Sequence, residues 1–196
     1  NHFIKDAHNI IKLSGDGFRV DYITIDIAHG HSMAMKEMIK LVKKHLPNTF
    51  IIAGNVATTN GISDLKLWGA DCIKVGIGQG APCSTKDKTG FTAPMFTCLK
   101  WCCEVAEVPI IADGGIKCHG DIAKALLAGA TMVMIGSLFS ACIDSPAELI
   151  SDEDKQYKRY FGSASALNKG HDNHIEGFEH HMECNGLTYS QKLLEI

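Results

Sequence analysis

Five short runs of mostly apolar residues recur along the chain, and each run ends in polar residues or glycine. The runs are DYITIDIAHG (21–30), NTFIIAGNVAT (48–58), CIKVGIGQG (72–80), VPIIADGGI (108–116) and TMVMIGSL (131–138). Strands that are buried on both faces of a parallel sheet have such nearly continuous apolar runs. The pattern therefore predicts five parallel β-strands.

Amphipathic stretches separate these runs. In SMAMKEMIKLVKKHL (32–46), apolar side chains such as Met35, Met38 and Val42 recur at the spacing of one helix face. Helical spacing also covers 2–13, 58–70, 94–107 and 119–130. Alternation of strands and helices predicts an α/β fold with a parallel sheet.

Glycine and polar residues cluster at the C-terminal end of every predicted strand. A (β/α)₈ barrel places its active site at that edge, and an open doubly wound sheet binds ligands there as well. Five strands are fewer than the eight of a closed barrel, which needs roughly 250 residues. The pattern alone therefore leaves both architectures open.

The character of the chain changes after residue 144. The segment from 144 to 184 is polar, weakly periodic and rich in glycine, histidine and asparagine. Long irregular segments in compact domains are usually either functional or disordered. The segment is thus either a solvated tail or a mobile flap over an active site.

Composition narrows the function classes. The chain has 196 residues, 45% of them hydrophobic and 21% charged, with a net charge of −3, as expected for one soluble globular domain. The acidic balance argues against nucleic acid as the main partner. No apolar run reaches the roughly 18 residues of a membrane helix. The eight cysteines include no CxxC pair, which favours a reducing, cytoplasmic compartment.

One cysteine stands apart from the others. Cys83 follows the glycine turn GIGQG, whose backbone groups are free to face a ligand, and Lys86 is close in sequence. Backbone N–H dipoles and a nearby lysine favour the thiolate, which is the nucleophilic form. Cysteines such as Cys72 and Cys102 lie within apolar patterns and are expected to be inert core residues.

Two further strand ends predict an anion site. ADGGI (112–116) and MIGSL (134–138) each combine a strand end with glycine and a following helix, and consecutive N–H groups at such ends bind phosphate. Asp113 would accept hydrogen bonds from a pair of sugar hydroxyls, and Asp26 points toward the same edge. The histidine pairs lack the spacing of a recognised metal site.

These stretches resemble one known family. GIGQGAPCST is similar to the GxGxGxxCxT loop of the IMP dehydrogenase/GMP reductase family, and the run from Ile110 to Phe139 resembles its nucleotide-phosphate region. CSTKDKTG and YFGSASALNKG…IEG favour the bacterial GMP reductase branch. The resemblance covers about 19–178.

The resemblance implies a (β/α)₈ TIM barrel. This chain would supply strands 4 to 8, with the first three strands missing, so that 1–196 is a single, incomplete catalytic barrel domain. The segment 144–184 would be its mobile active-site flap. Members of the family are typically homotetramers.

The implied reaction converts GMP to IMP and ammonia with NADPH, in purine nucleotide salvage. Cys83 would attack C2 of the purine to give a covalent adduct. Thr85 and Glu176 would help to protonate and release the amino group as ammonia.

The resemblance also assigns binding residues. Substrate contacts would come from Asp113, Gly114, Gly115, Gly136, Ser137, Ser163 and Ser165. Cofactor contacts would come from Asp26 and from the stretch Ile110, Ile111, Ala112, Asp113, Gly114, Gly115 and Ile116. Backbone carbonyls of Gly78, Gly80 and Cys83 match the family's potassium site.

Three features depart from the family pattern. Gln79 replaces a usual proline, Pro82 immediately precedes the cysteine, and Thr92-Ala93-Pro94 replaces a glycine-rich continuation. Three alternatives stay open. They are IMP dehydrogenase, a catalytically impaired fragment that binds purine nucleotide or a partner subunit, and a flavin-linked phosphate-binding barrel.

Overall fold

A parallel five-stranded sheet forms the centre of the computed structural model, which describes residues 2–152, 155–162, 165–166, 170 and 177–196. Its strands are β1 (Tyr22–Asp26), β2 (Phe50–Val56), β3 (Cys72–Val75), β4 (Ile110–Asp113) and β5 (Met132–Met134). Their spatial order is β1-β2-β3-β4-β5, the same as their order in the chain. The predicted α/β fold with a parallel sheet is confirmed, and it fits a TIM-barrel-type architecture.

Helices precede, connect and follow the strands of this sheet. They are α1 (His2–Gly15), α2 (Met33–His45), α3 (Thr59–Trp68), the short α4 (Thr85–Thr89), α5 (Met95–Val105), α6 (His119–Leu127) and the short α7 (Ser137–Ser140). Side-chain caps fix two of the helix starts, because Ser32 and Thr58 each accept a hydrogen bond from a first-turn N–H. None of the described helices is long and apolar enough to cross a lipid bilayer.

The hydrophobic core lies between the sheet and the helices. Ile51, Ile73 and Ile110 are buried on three adjacent strands, and they are covered by Leu65 and Leu99 of α3 and α5. Side chains alternate between the two faces of a strand. The strand register therefore places Tyr22, Phe50, Met132 and Met134 together on the opposite face, where all four are exposed.

A second, antiparallel sheet follows in the chain. It contains β6 (Leu149–Asp152), β7 (Lys155–Phe161) and β8 (Glu179–Glu183) in that order. The sequence pattern did not predict these strands, which lie within the segment assigned to a flap. A last helix, α8 (Tyr189–Glu195), begins with a capping box between Thr188 and Gln191. Whether the segment acts as a flap stays a prediction.

Candidate active site

A cavity of about 370 Å³ opens at the carboxyl ends of the parallel strands. Side chains and backbone from the ends of all five strands line it, together with the loop after β3 and part of the second sheet. Among the residues predicted from sequence, the cavity brings together Asp26, Gly78, Gly80, Cys83, Thr85, Asp113 and Gly114. The predicted edge of the sheet is therefore where these groups converge.

Glycines allow the loop after β3 to pack against its neighbours. A side chain at Gly76 would collide with the backbone of Asp113, and its φ of 138° is a conformation that L residues rarely adopt. The N–H of Cys83 donates to the carbonyl of Gly80 at 3.0 Å, which closes a tight turn. This turn places the cysteine at the cavity, two residues before α4 begins.

Cys83 differs from the core cysteines in its surroundings. It is half-buried and lines the cavity, whereas Cys72 and Cys102 are buried in the interior. Burial raises the pKa of the Cys72 thiol. A hydrogen bond with Cys98, with burial adding to it, raises the pKa of Cys102. The raised pKa values favour the neutral, poorly nucleophilic form of Cys72 and Cys102.

A buried lysine connects two carboxylates at the cavity. The ammonium of Lys74 lies 3.2 Å from Oδ2 of Asp26 and donates a very close hydrogen bond to Oδ2 of Asp113. Nδ2 of Asn55 also donates to Oδ2 of Asp113, at 2.9 Å, and to the carbonyl of Gly76, at 2.7 Å. Asp113 at the end of β4 is thus fixed by two donors, Lys74 from the adjacent β3 and Asn55 from β2.

Sequence reasoning missed Lys74 and Asn55. A signal was available for the lysine, because it interrupts the apolar run CIKVG, and lysine is almost never fully buried unless it is paired. Asn55 lay within a strand end that was noted only for its polarity.

A second, larger cavity of about 700 Å³ lies beside the first. Tyr160 and Phe161 of β7 line both cavities, and Gly136 lines the larger one. A side chain at Gly136 would collide with the Tyr160 hydroxyl, so that Tyr160 would have to move. Burial, together with the charge of Asp113, raises the pKa of Tyr160, which keeps its hydroxyl neutral and able to donate.

The second sheet docks onto the cysteine loop. The N–H of Gly177 donates to Oγ of Ser84 at 2.7 Å, and the N–H of Phe178 donates to the carbonyl of Pro82 at the same distance. The His180 ring hydrogen-bonds to the carbonyl of Ala81 at 3.1 Å. The residues that enter β8 are therefore tied to the loop that carries Cys83, and Pro82 contributes through its carbonyl.

Two departures from the family pattern, Gln79 and the stretch Thr92-Ala93-Pro94, contact each other. Nε2 of Gln79 donates to the carbonyl of Ala93, and Thr92 donates to the carbonyl of Ile77 at 2.9 Å. Any side chain at Gly114 or Gly115 would meet the Gln79 side chain at 3.3 Å. Gln79 thus fills the space between the glycine loop and the end of β4.

The other predicted residues have different positions. Ile110, Ala112 and Ile116 belong to the hydrophobic core rather than to the cavity lining. Ser137 is the first residue of α7. Ser165 is buried, and its Oγ has no hydrogen-bond partner among the described residues. Ser163 and Glu176 lie outside the described residues. Within the described ranges, no three His, Cys, Asp or Glu side chains are placed to hold a metal ion.

Comparison with known proteins identifies relatives. A family model described as "IMP dehydrogenase / GMP reductase domain" matches residues 6–188. The "GMP reductase" of Paracidovorax citrulli (strain AAC00-1) is 53% identical over 174 residues, which are 88% of this chain and 54% of that protein. The "GMP reductase" of Bacillus subtilis (strain 168) is 51% identical over 187 residues, 94% of this chain and 57% of the relative.

A third relative matches almost the whole chain. The "GMP reductase" of Bacillus thuringiensis subsp. konkukian (strain 97-27) is 51% identical over 195 residues, 98% of this chain and 59% of that protein. The chain therefore spans somewhat more than half the length of the curated relatives it matches.

Proposed function

Because the chain belongs to the IMP dehydrogenase/GMP reductase family, we propose that it acts in the NADPH-dependent reductive deamination of GMP to IMP and ammonia, a purine salvage reaction. The observation that carries the proposal is the cavity in which Cys83, Thr85, Asp113 and Asp26 converge. The curated relatives at 51–53% identity are named GMP reductase, which favours this branch.

Cys83 is the proposed nucleophile. Its sulfur adds to C2 of the purine, which makes this carbon tetrahedral, and the amino group then departs as ammonia after gaining a proton. The half-buried thiol at the cavity wall supports this role, since a nucleophile must reach the reacting atom. A hydride delivered to C2 then releases the thiolate and leaves IMP.

Thr85 and Glu176 are the proposed proton donors to the leaving amino group. Thr85 lines the cavity two residues after the cysteine. Glu176 lies outside the described residues, and its role is proposed from the resemblance of IEG to the family pattern.

The nucleotide is proposed to bind through its ribose and phosphate. Asp113 accepts hydrogen bonds from the ribose hydroxyls, and Gly114, Gly115, Gly136 and Ser137 surround the phosphate. Ser163 and Ser165 approach from the flap, 144–184. The buried Oγ of Ser165 has no hydrogen-bond partner among the described residues, and because buried hydroxyls are normally hydrogen-bonded, this supports a ligand contact at Ser165.

NADPH supplies the hydride when it is bound. Asp26 fits a cofactor contact, because its carboxylate stands at the cavity and about half of its side chain remains exposed. The stretch 110–116 is proposed to contribute through Asp113, Gly114 and the neighbouring backbone. Carbonyls of Gly78, Gly80 and Cys83 are oxygen donors of the kind that a potassium ion accepts, and they are proposed to hold one beside the loop.

The five parallel strands are proposed to be strands 4 to 8 of a (β/α)₈ barrel within a cytoplasmic homotetramer. The exposed apolar side chains on the inner face of the sheet, such as Tyr22 and Met132, support this, because a closed barrel would cover them. The greater length of the relatives agrees with it.

The test is a steady-state assay with both substrate pairs. We expect GMP to drive NADPH oxidation with release of one ammonia per NADPH consumed. Reduction of NAD with IMP, without ammonia, would instead indicate IMP dehydrogenase activity, which the same family includes. Binding of GMP without turnover would indicate an impaired nucleotide-binding protein.

A further inference from the structure

We propose that Lys74 is a positioning residue that holds the nucleotide-side carboxylate, Asp113, and the cofactor-side carboxylate, Asp26, in one fixed arrangement. The inference rests on the proposed function, which assigns these carboxylates to the ribose of GMP and to the cofactor. It adds that one lysine serves both ligands, although it is not itself a contact to either.

The strand register explains how one lysine reaches both carboxylates. Gly54 on β2 is the register partner of Asp26 on β1 and of Lys74 on β3. A side chain at Gly54 would start only 2.6 Å from Cβ of Lys74. Because glycine leaves this space open, the lysine extends across β2 toward Asp26, two strands away. Its ammonium also meets Asp113 at the end of β4.

Because Lys74 is buried, its ammonium needs both carboxylates as partners. Only 3% of its side chain is exposed, against 47% for Asp26 and 21% for Asp113. A buried ammonium is unfavourable unless it is paired. Here one positive charge stands between two negative ones, so the three groups together keep one negative charge inside the cavity wall.

Each carboxylate retains an oxygen for a ligand. Lys74 contacts Oδ2 of Asp26 and Oδ2 of Asp113, and no hydrogen bond among the described residues reaches the Oδ1 atoms. The two anchored oxygens set the rotation of each carboxylate and thereby the direction of its free oxygen. Asn55 anchors only Asp113, so Asp26 depends on the lysine alone among its described partners.

Loss of the Lys74 ammonium would disturb both carboxylates, Asp113 on the nucleotide side and Asp26 on the cofactor side. Two carboxylates without the positive charge between them repel each other in a medium of low dielectric constant, and each can rotate away from its ligand. If Lys74 only stabilised the fold, its replacement would lower the melting temperature without a matched loss of affinity for both ligands.

The experiment measures equilibrium dissociation constants for GMP and for NADPH separately in the wild type and three variants. Lys74→Met, which keeps the length but not the charge, should weaken both ligands by roughly tenfold or more. Lys74→Arg should recover part of the affinity for both ligands, because it restores the charge. Lys43→Met removes another lysine–aspartate ion pair of the sheet, with Asp71, and should leave both constants within about twofold.

The outcomes separate this inference from the proposed function. A wild type that does not bind GMP overturns the proposed function and this inference with it. A wild type that binds both ligands, with a Lys74→Met variant that weakens neither or only one, overturns the inference alone. Equal losses in Lys43→Met would also overturn it, since they would show a general effect on the fold.

A second comparison serves if Lys74→Met does not fold. The double variant Lys74→Gln/Asp26→Asn removes the ammonium together with one buried negative charge. Compared with Asp26→Asn alone, it should bind GMP roughly tenfold more weakly, because Asp113 has lost its charged donor. Equal GMP affinity in these two variants would overturn the inference.

Discussion

Lysine–aspartate pairs stand at both edges of the parallel sheet, but their surroundings differ. At the amino edge, Lys43 lies 2.6 Å from Oδ2 of Asp71 and donates to the carbonyl of Thr49 at 3.1 Å. The same Asp71 oxygen accepts the N–H of Ile51 at 2.8 Å. At the carboxyl edge, Lys74 stands between two carboxylates that line a cavity.

The difference separates a structural ion pair from a binding arrangement. The amino-edge pair is balanced in charge, and its hydrogen bonds join α2 to the starts of β2 and β3. The carboxyl-edge group has an excess negative charge, and its Oδ1 atoms accept no hydrogen bond from the part of the chain that the structure describes. Buried ion pairs contribute little net stability, so the carboxyl-edge arrangement fits ligand binding better than stabilisation of the fold.

The largest expected effect concerns Glu176, which we propose acts at the carboxyl edge. Glu176→Gln removes a proton donor and should slow ammonia release by roughly 100-fold, the lower range for general acid–base catalysis, with GMP affinity nearly unchanged. Single-turnover measurement of ammonia with saturating GMP and NADPH tests this.

A matched variant controls for the loss of a carboxylate in the same region. Glu179→Gln changes an exposed residue of β8 that pairs with Arg159, and turnover should stay within about twofold of the wild type. Unchanged ammonia release in Glu176→Gln would remove Glu176 from the proposed mechanism.

The smallest expected effect lies at the amino edge. Lys43→Met should lower the free energy of unfolding by about 1 kcal/mol, because the ion pair is partly exposed and water screens it. Values of kcat and KM should change by less than about twofold. Urea denaturation measures the free energy of unfolding, and steady-state kinetics measures kcat and KM. A large loss of turnover would contradict the claim that the amino-edge pair is only structural.

Sequence reasoning predicted the first sheet because its strands are buried on both faces. The run NTFIIAGNVAT, for example, contains β2, which begins and ends within two residues of the expected bounds. The helices between strands were likewise predicted from their apolar spacing, as for α2 over Met33–His45.

The second sheet escaped prediction because it carries few buried apolar residues. In β7, Arg159 pairs with Glu148 and Glu179, and Lys155 pairs with Glu183. Cross-strand charges of this kind stabilise neighbouring strands, but a pattern of apolar positions does not record them. The sequence KQYKRYF therefore reads as a solvated segment.

The candidate site was predictable only in part for a similar reason. Cys83 and Asp113 follow strands and glycines, which mark the ligand edge of a parallel sheet. The partners of Lys74 are 48 and 39 residues away in the chain, and no local pattern connects them. Only the folded sheet, with Gly54 between them, brings Lys74 and Asp26 together.

The proposed reaction requires that Cys83 is the thiol that meets the purine. Iodoacetamide labelling, followed by mass spectrometry of the cysteine peptides with and without GMP, measures this for each cysteine, and the exposed Cys118 serves as an internal reference. We expect Cys83 to be labelled fastest and GMP to protect it, while Cys118 is labelled as before. Labelling of Cys83 at the rate of Cys118, with no protection by GMP, would contradict the proposed role of Cys83.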